Sequence, residues 1–322
     1  MNRYYPLIRR EAIRLLAPTA IALYTLGYQM WALGGSFQLW LWKFSTYENY
    51  SMHPSTLLKM DWFAFALLIG MVLSLVQHAG ERSARPSLWW EKLPYSRWER
   101  LCVKTVCSMV PLILLCAVGF VWTKVILSDN SEWIARMNAG MNGINAAERL
   151  LQTDRLAIYW LFLLTGGAMG YAFFGLLCQI FGHWWRAVLI GAAVWILSLY
   201  CIPAMTVGQV TGKVVISGEP RWYTAQDMEL LLPVVKWIAA GIAAMLTGTF
   251  LLEKRRPLER SGLAMLYPKA KWYVAGAIVV IGIAVMLMHR RLGYIPMGGV
   301  VVATLILFVT PFEISKKMKW KG

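Results

Sequence analysis

From Leu156 to Trp185 the chain runs for 30 residues without a Lys, Arg, Asp or Glu, and this is one of eight such runs. A helix rises 1.5 Å per residue, so about 20 mostly apolar residues cross the hydrocarbon core of a bilayer. The runs are Leu15–Trp42, Trp62–Gly80, Thr105–Thr123, Leu156–Trp185, Ala187–Gly212, Trp237–Leu252, Trp272–His289 and Leu292–Phe312. The shortest, Trp237–Leu252, has 16 residues and reaches a full span through Leu230–Val235 if Lys236 snorkels to the interface. The runs are continuous and not alternating, so they specify helices and not the strands of a barrel. Composition agrees. Hydrophobic residues are 58% and charged ones only 15%, against about 45–50% and about 25% in soluble domains. A disordered chain and an ordinary soluble enzyme are excluded. The expected fold is an all-α polytopic membrane protein with about eight spans.

The formal charge of +16, from 32 Lys and Arg against 16 Asp and Glu, would suggest nucleic acid on a soluble domain. Here the positive-inside rule accounts for it without a nucleic-acid partner. Eight spans put both termini on one side. With that side cytoplasmic, most basic residues fall inside: Arg3, Arg9, Arg10 and Arg14 before the first run, six between Arg82 and Lys104, Arg186, six between Lys254 and Lys271, and four lysines in the tail. Arg290 and Arg291, in the outer turn of the last hairpin, run against the rule. A six-span core with a non-spanning 263–322 is therefore a second topology. The first run is far longer than the about 7–15 apolar residues of a signal peptide, and reads as a retained helix. Before it, Tyr4, Tyr5, Leu7, Ile8 and Ile13 interleave with four arginines, the pattern of an interfacial amphipathic helix or of a plain basic anchor.

Chemistry is sparse. His53, His78, His183 and His289 are far apart, and neither HExxH nor GxSxG occurs. Gly208–Lys213 imitates a phosphate loop but has one residue too few between its glycines, and Val214 stands where the loop needs Ser or Thr. No catalytic, cofactor or metal site is expected, and the chain itself is not expected to hydrolyse ATP. The five cysteines, Cys102, Cys107, Cys116, Cys178 and Cys201, form no CxxC pair and read as apolar packing residues. No ionisable residue occupies the centre of a run; Lys124, Lys236 and Glu253 lie near run ends. Gln29, Gln77, His78 and Gln179 are expected to hydrogen-bond between helices. Gly166/Gly170 and Ala240/Ala244/Gly248 are small-residue ladders suited to close helix packing, within the chain or between copies.

The loop from Glu81 to Lys104 carries the most information. Ser96 with Glu99 forms a capping box for a helix starting at Arg97 and running into the third span. Upstream, Leu88, Trp89, Trp90 and Leu93 supply an apolar side suited either to protein docking or to the headgroup region of the inner leaflet.

Glu81 at the end of the second helix, then Leu93, Pro94, Ser96, Arg97, Glu99 and Lys104, resemble the ABC-2 type permeases, the membrane subunits of bacterial ATP-binding cassette exporters. Phe250 to Glu259, with its Lys254-Arg255-Arg256 stop, is similar to the close of their six-helix core. The likeness covers about residues 1–262 and implies a six-helix permease core there; the chain departs from the pattern in a second expected domain, an appended transmembrane hairpin with a basic tail over 263–322. It also implies an N-terminal amphipathic interfacial helix and a bacterial cytoplasmic membrane location, with ATPase subunits and a second identical or homologous permease as partners. In that reading Arg85, Leu88, Trp89, Trp90, Leu93 and Arg97 dock the ATPase. Two other readings stand beside it: a membrane-embedded enzyme on lipid or cell-wall precursors, and a non-transport assembly or sensor subunit. Importer permeases carry an EAA-type loop, which this chain lacks.

Overall fold

The computed structural model describes residues 3–46, 61–79, 95–131, 153–181, 185–192, 195 and 231–254. They are helical, with no strand among the described residues. We number the helices α1 (Tyr5–Thr46), α2 (Asp61–Ala79), α3 (Arg97–Asp129), α4 (Thr153–Ile180) and α5 (Leu231–Lys254); a shorter helical stretch covers 185–192. Arg97–Asp129, Leu156–Ile180 and Val235–Lys254 are long and apolar enough to cross a membrane, and Trp62–His78 is a shorter apolar helix.

The first helix departs from expectation. An interfacial helix ending near Arg14, followed by a separate span, is replaced by the single helix α1. Its buried positions explain the continuity. Leu7, Glu11, Leu15, Ala22, Leu26 and Met30 keep to one helical face across the junction. Pro18 lies inside this helix, and the Thr19 hydroxyl donates to the Leu15 carbonyl at 2.5 Å beside it.

Helices α2 and α4 form the tightest pair. A Cβ at Gly70 would collide with the Gly167 backbone, one at Gly170 with the Leu67 carbonyl, and one at Gly166 with the Phe63 ring at 2.9 Å. The Gly166/Gly170 ladder thus serves packing within the chain. Phe63 stacks on Phe162 at 4.4 Å, and these rings join the main apolar core with Leu67, Met71, Tyr159 and Leu163. In the second ladder, Gly248 meets Leu176 at 3.4 Å, while Ala240 and Ala244 are exposed.

The contacts fix relative directions. Residues 63, 67 and 74 of α2 meet 166, 170 and 175 of α4, so these two helices run parallel. Tyr4 bonds Glu99, and Thr123 touches Met30, so α1 runs parallel to α3. Gly119 faces Trp160, and Leu112 faces Gly167, so α3 opposes α4. Phe250 packs on Trp98, which brings the end of α5 to the start of α3. After α4, Gly191 packs on Met71, and the Trp195 indole donates to the Ala64 carbonyl at 2.8 Å, so this stretch climbs back along α2. One end of the bundle therefore gathers the starts of α1 and α3 and the ends of α2, α4 and α5.

The outer surface is apolar. Ile13, Leu16 and Ile21 of α1, Val106, Val110, Ile113 and Val121 of α3, and Leu251 of α5 are exposed. So large an apolar surface marks contact with lipid or with other chains. Exposed aromatics sit toward both ends: Tyr5 and Trp98 at the gathered end, and Tyr24, Tyr28, Trp31 and Trp237 at the other. That is the placement of interfacial aromatic belts.

Adding one methyl at the α2–α4 contact tests this packing. Gly170→Ala forces the two backbones apart and should cost about 1–3 kcal/mol, read as a lowered thermal unfolding midpoint of the detergent-solubilised protein. Gly241→Ala, where a Cβ meets nothing within 4 Å, should leave the midpoint unchanged or slightly raised. Equal effects at the two positions would contradict the packing described.

Candidate functional site: a polar knot at the start of α3

The first turn of α3 is built by its own sequence. Ser96 has extended backbone (φ −64°, ψ 155°), which stops the helix propagating backwards. Its hydroxyl accepts the Glu99 N–H at 3.1 Å, and the Glu99 carboxylate accepts the Ser96 N–H at 2.7 Å. The expected capping box is present. It satisfies two of the N–H groups a helix start leaves open.

Around that turn, three other segments attach. Tyr4 donates its phenol to the other Glu99 oxygen at 2.7 Å, and Arg3 lies 3.8 Å from the same carboxylate. The Tyr95 phenol donates to the Arg3 carbonyl at 3.0 Å, with the Arg3 guanidinium about 6 Å from both tyrosine rings. The bond to Glu99, and then its negative charge, hold the Tyr4 phenol above the usual tyrosine range. On another side, Arg97 donates to the Glu253 carbonyl at 3.5 Å, and Trp98 packs on Phe250 with ring centres 4.1 Å apart. The two stretches of the family likeness thus meet: Arg97 of one bonds Glu253 of the other, and Trp98 beside it packs on Phe250.

Deeper in, the polar groups are buried. Gln77 of α2 donates its amide to the Lys104 carbonyl at 3.1 Å, and the Lys104 ammonium donates to the Gln77 carbonyl at 3.4 Å. Tyr171 of α4 donates to the Gln77 side-chain oxygen at 3.0 Å. Three helices are joined through one glutamine, whose donor and acceptor ends are both used. Glu11 of α1, 0% exposed, pairs with Arg14 at 3.3 Å. Lys104 is 3% exposed, and His78, Ser74, Ser108, Gln179 and Arg100 are also buried. Among the described residues, the hydroxyls of Ser74 and Ser108 and the side-chain oxygen of Gln179 find no hydrogen-bond partner.

Several expectations are answered here. Gln77 does bond between helices. Gln29 is exposed. Lys124 and Lys236 are exposed near the ends of apolar stretches, where their stems can snorkel. Among the described residues, Cys102, Cys107, Cys116 and Cys178 form no disulfide; Cys178 is buried and the others are partly so. Arg97 is half-buried on α5. Arg85, Leu88, Trp89, Trp90 and Leu93 lie outside the described residues, as do Gly208–Lys213, Cys201 and the whole of 263–322. Among the described residues, no cluster of three or more His, Cys, Asp and Glu could hold a metal ion.

Sequence reasoning missed Glu11 and Lys104 as buried charges. It placed one in an interfacial helix and the other at a loop end. The signal was periodicity: Glu11 sits four residues from both Leu7 and Leu15, and Lys104 four from both Arg100 and Ser108, all on buried faces. An ion shielded from water is costly unless paired and hydrogen-bonded. Here Lys104 ties α3 to α2, while Glu11 pairs with Arg14 within α1.

Tyr171→Phe removes the donor to Gln77 while keeping the ring. It should destabilise by about 1–3 kcal/mol, because an acceptor is left buried and unpaired. Ser96→Ala removes a helix cap and should cost about 1 kcal/mol. Thermal unfolding in detergent measures both, and a neutral Tyr171→Phe would mean that the knot does not hold the helices.

No protein-family model matches the chain, and neither does any curated protein or solved structure.

Proposed function

We propose that the chain is a permease subunit of an ABC-2 type exporter, embedded in a bacterial cytoplasmic membrane and driven by separate ATPase subunits. The observation that carries this reading is the convergence at the start of α3. Four residues of the family-like loop, Ser96, Arg97, Glu99 and Lys104, each tie that turn to something different: its own cap, the end of α5, the segment before α1, and the end of α2. A force applied to the loop over 80–94 would enter there and reach four helices at once. A coupling element needs that arrangement, since partner binding has to shift the bundle between two packings.

The charge distribution supports the same orientation. The gathered end holds Arg3, Arg9, Arg10, Arg14, Arg97, Arg100, Lys104 and Lys254, against Glu11, Glu99 and Glu253. By the positive-inside rule this end is cytoplasmic. Helices α4 and α5 both finish at it, so the chain between them returns to the far end, as a fifth crossing would. The core over 1–262 then has six crossings, and 263–322 adds the C-terminal hairpin. α3 suits the span: from Trp98 to Trp122 it rises about 36 Å, between the about 30 Å of hydrocarbon and the about 40–45 Å that includes the headgroups.

Docking is assigned to Arg85, Leu88, Trp89, Trp90, Leu93 and Arg97. Trp89 and Trp90 are adjacent, so on a helix they point about 100° apart. One is free to enter a partner groove while the other braces the leaflet. Replacing both with Ala should leave the solubilised subunit folded, with little change in unfolding midpoint. It should weaken ATPase binding at least about thirtyfold, since loss of an aromatic anchor commonly costs about 2 kcal/mol or more. The measurement is co-purification of the ATPase and its transport-dependent ATP turnover. An unfolded double variant would make the tryptophans internal packing, and a folded, fully coupled one would make them lipid anchors; either result defeats the docking role.

A further inference from the structure

Four helices meet around a small internal space beside the polar knot. Its enclosed volume is about 10 Å³, and each helix brings one polar side chain to its wall: His78 of α2, Thr105 of α3, Tyr171 of α4 and Thr249 of α5. We infer that this space binds a single water molecule, held by the Ser74 hydroxyl and by the hydroxyl oxygens of Tyr171 and Thr249.

Three observations lead there. The first is size. About 10–15 Å³ is the least that admits one water, so the space takes one and nothing larger. The second is Gly175 of α4, which forms part of the wall. The position a Cβ would take there lies 3.5 Å from the Ser74 hydroxyl oxygen and 3.8 Å from His78 Nε2. Ser74 is 0% exposed, and among the described residues its hydroxyl finds no partner. A buried hydroxyl without a bond is costly, and a water in the space left by Gly175 supplies that bond. The third is the state of the other hydroxyls. Tyr171 donates to the Gln77 side-chain oxygen at 3.0 Å, Thr105 to the Leu101 carbonyl at 3.0 Å, and Thr249 to the Met245 carbonyl at 2.8 Å. Each has spent its one proton within the protein and keeps oxygen lone pairs. The occupant must therefore donate to them while accepting from Ser74. Water has two protons to give and lone pairs to receive one, which makes the about three bonds typical of a buried water. A metal cation suits the space poorly, because no carboxylate lines it and Arg100 and Lys104 are buried on the helix that carries Thr105. An anion suits it no better, because these three hydroxyls have no proton left. The water would link α2, α4 and α5 through bonds that re-form when the helices shift. The inference rests on the helix packing and not on the exporter reading.

The test uses the full chain in detergent, with Ser74→Ala and Gly175→Ala made singly and together and their unfolding midpoints compared. Both changes are small, and a Cβ at Gly175 meets nothing closer than 3.5 Å. With the water in place, Ser74→Ala should lower the midpoint. Gly175→Ala takes the water's space and should lower it too, although Ala is the better helix former. In the Gly175→Ala background, Ser74→Ala should instead raise the midpoint, because it then removes a hydroxyl that has lost its partner. A dry space gives the opposite result, a raised midpoint for each single variant. X-ray radiolysis in heavy-oxygen water is the second readout, since radicals formed from a bound water oxidise the side chains beside it. Tyr171, 2% exposed, should take up the label several-fold faster than Tyr159, 1% exposed, and Gly175→Ala should bring the two rates together. A raised midpoint for Ser74→Ala in the otherwise unaltered chain, or equal oxidation of the two tyrosines there, would overturn the inference. Neither of those readouts needs a change at Gly175, so the test stands even where the Gly175 variant fails to fold.

Discussion

In hydrocarbon no hydrophobic force draws one apolar helix toward another, so a membrane bundle has to be held by close van der Waals packing and by polar bonds between helices. The α2–α4 pair supplies the first. At Gly70, Gly167 and Gly170 the two backbones come so near that no side chain fits between them. Phe63, Phe162, Tyr159 and Leu163 fill the space alongside. The other elements are arranged on this pair: α5 on α4, α3 against α4 through Gly119 and Trp160, and the stretch after α4 back along α2.

Among the described residues, the second kind of bond is concentrated at one end. Gln77, Lys104 and Tyr171 join α2, α3 and α4, and Glu99 and Arg97 attach the segment before α1 and the end of α5 to the same turn. Toward the far end, ring contacts such as Trp62 on Trp160 dominate, with the Trp195 indole donating to the Ala64 carbonyl and the Thr123 hydroxyl donating weakly to the Met30 sulfur at 3.9 Å. This asymmetry would serve the coupling role proposed above. A stiff polar end transmits displacement, and an apolar remainder can slide or repack at small cost. Apolar packing between helices carries no directional bonds, whereas each broken bond in the knot would leave a buried donor or acceptor exposed to loss.

Much of this was legible in the sequence because each feature has a local cause. Charge-free runs give α2, α3, α4 and α5, the Ser96–Glu99 pair fixes the start of α3, and the Gly166/Gly170 spacing marks a close contact. What was not legible depends on partners distant in the chain. The joining of the N-terminal basic segment to the first run comes from a buried face continuing through Leu7, Glu11 and Leu15, and that face has meaning only against α2 and α3. Charge-run reading treats Lys104 as a loop residue because it ends a polar stretch. Only the meeting of α2 with α3 gives its ammonium an acceptor inside the bundle. Arg97 closes the Glu81–Lys104 loop in the sequence, and its bond to a carbonyl 156 residues away has no local trace.

The central claim is that α3 crosses the membrane with its capped start on the cytoplasmic side, beside the end of α5. The most direct measurement is labelling of single cysteines, in a cysteine-free background, by a membrane-impermeant thiol reagent. Ser128→Cys and Lys236→Cys should react on intact cells, and Ser96→Cys and Lys254→Cys only after the membrane is opened. Reaction of Ser96→Cys and Ser128→Cys from the same side would contradict the account, because α3 would then not span and the knot could not link a cytoplasmic loop to a transmembrane bundle.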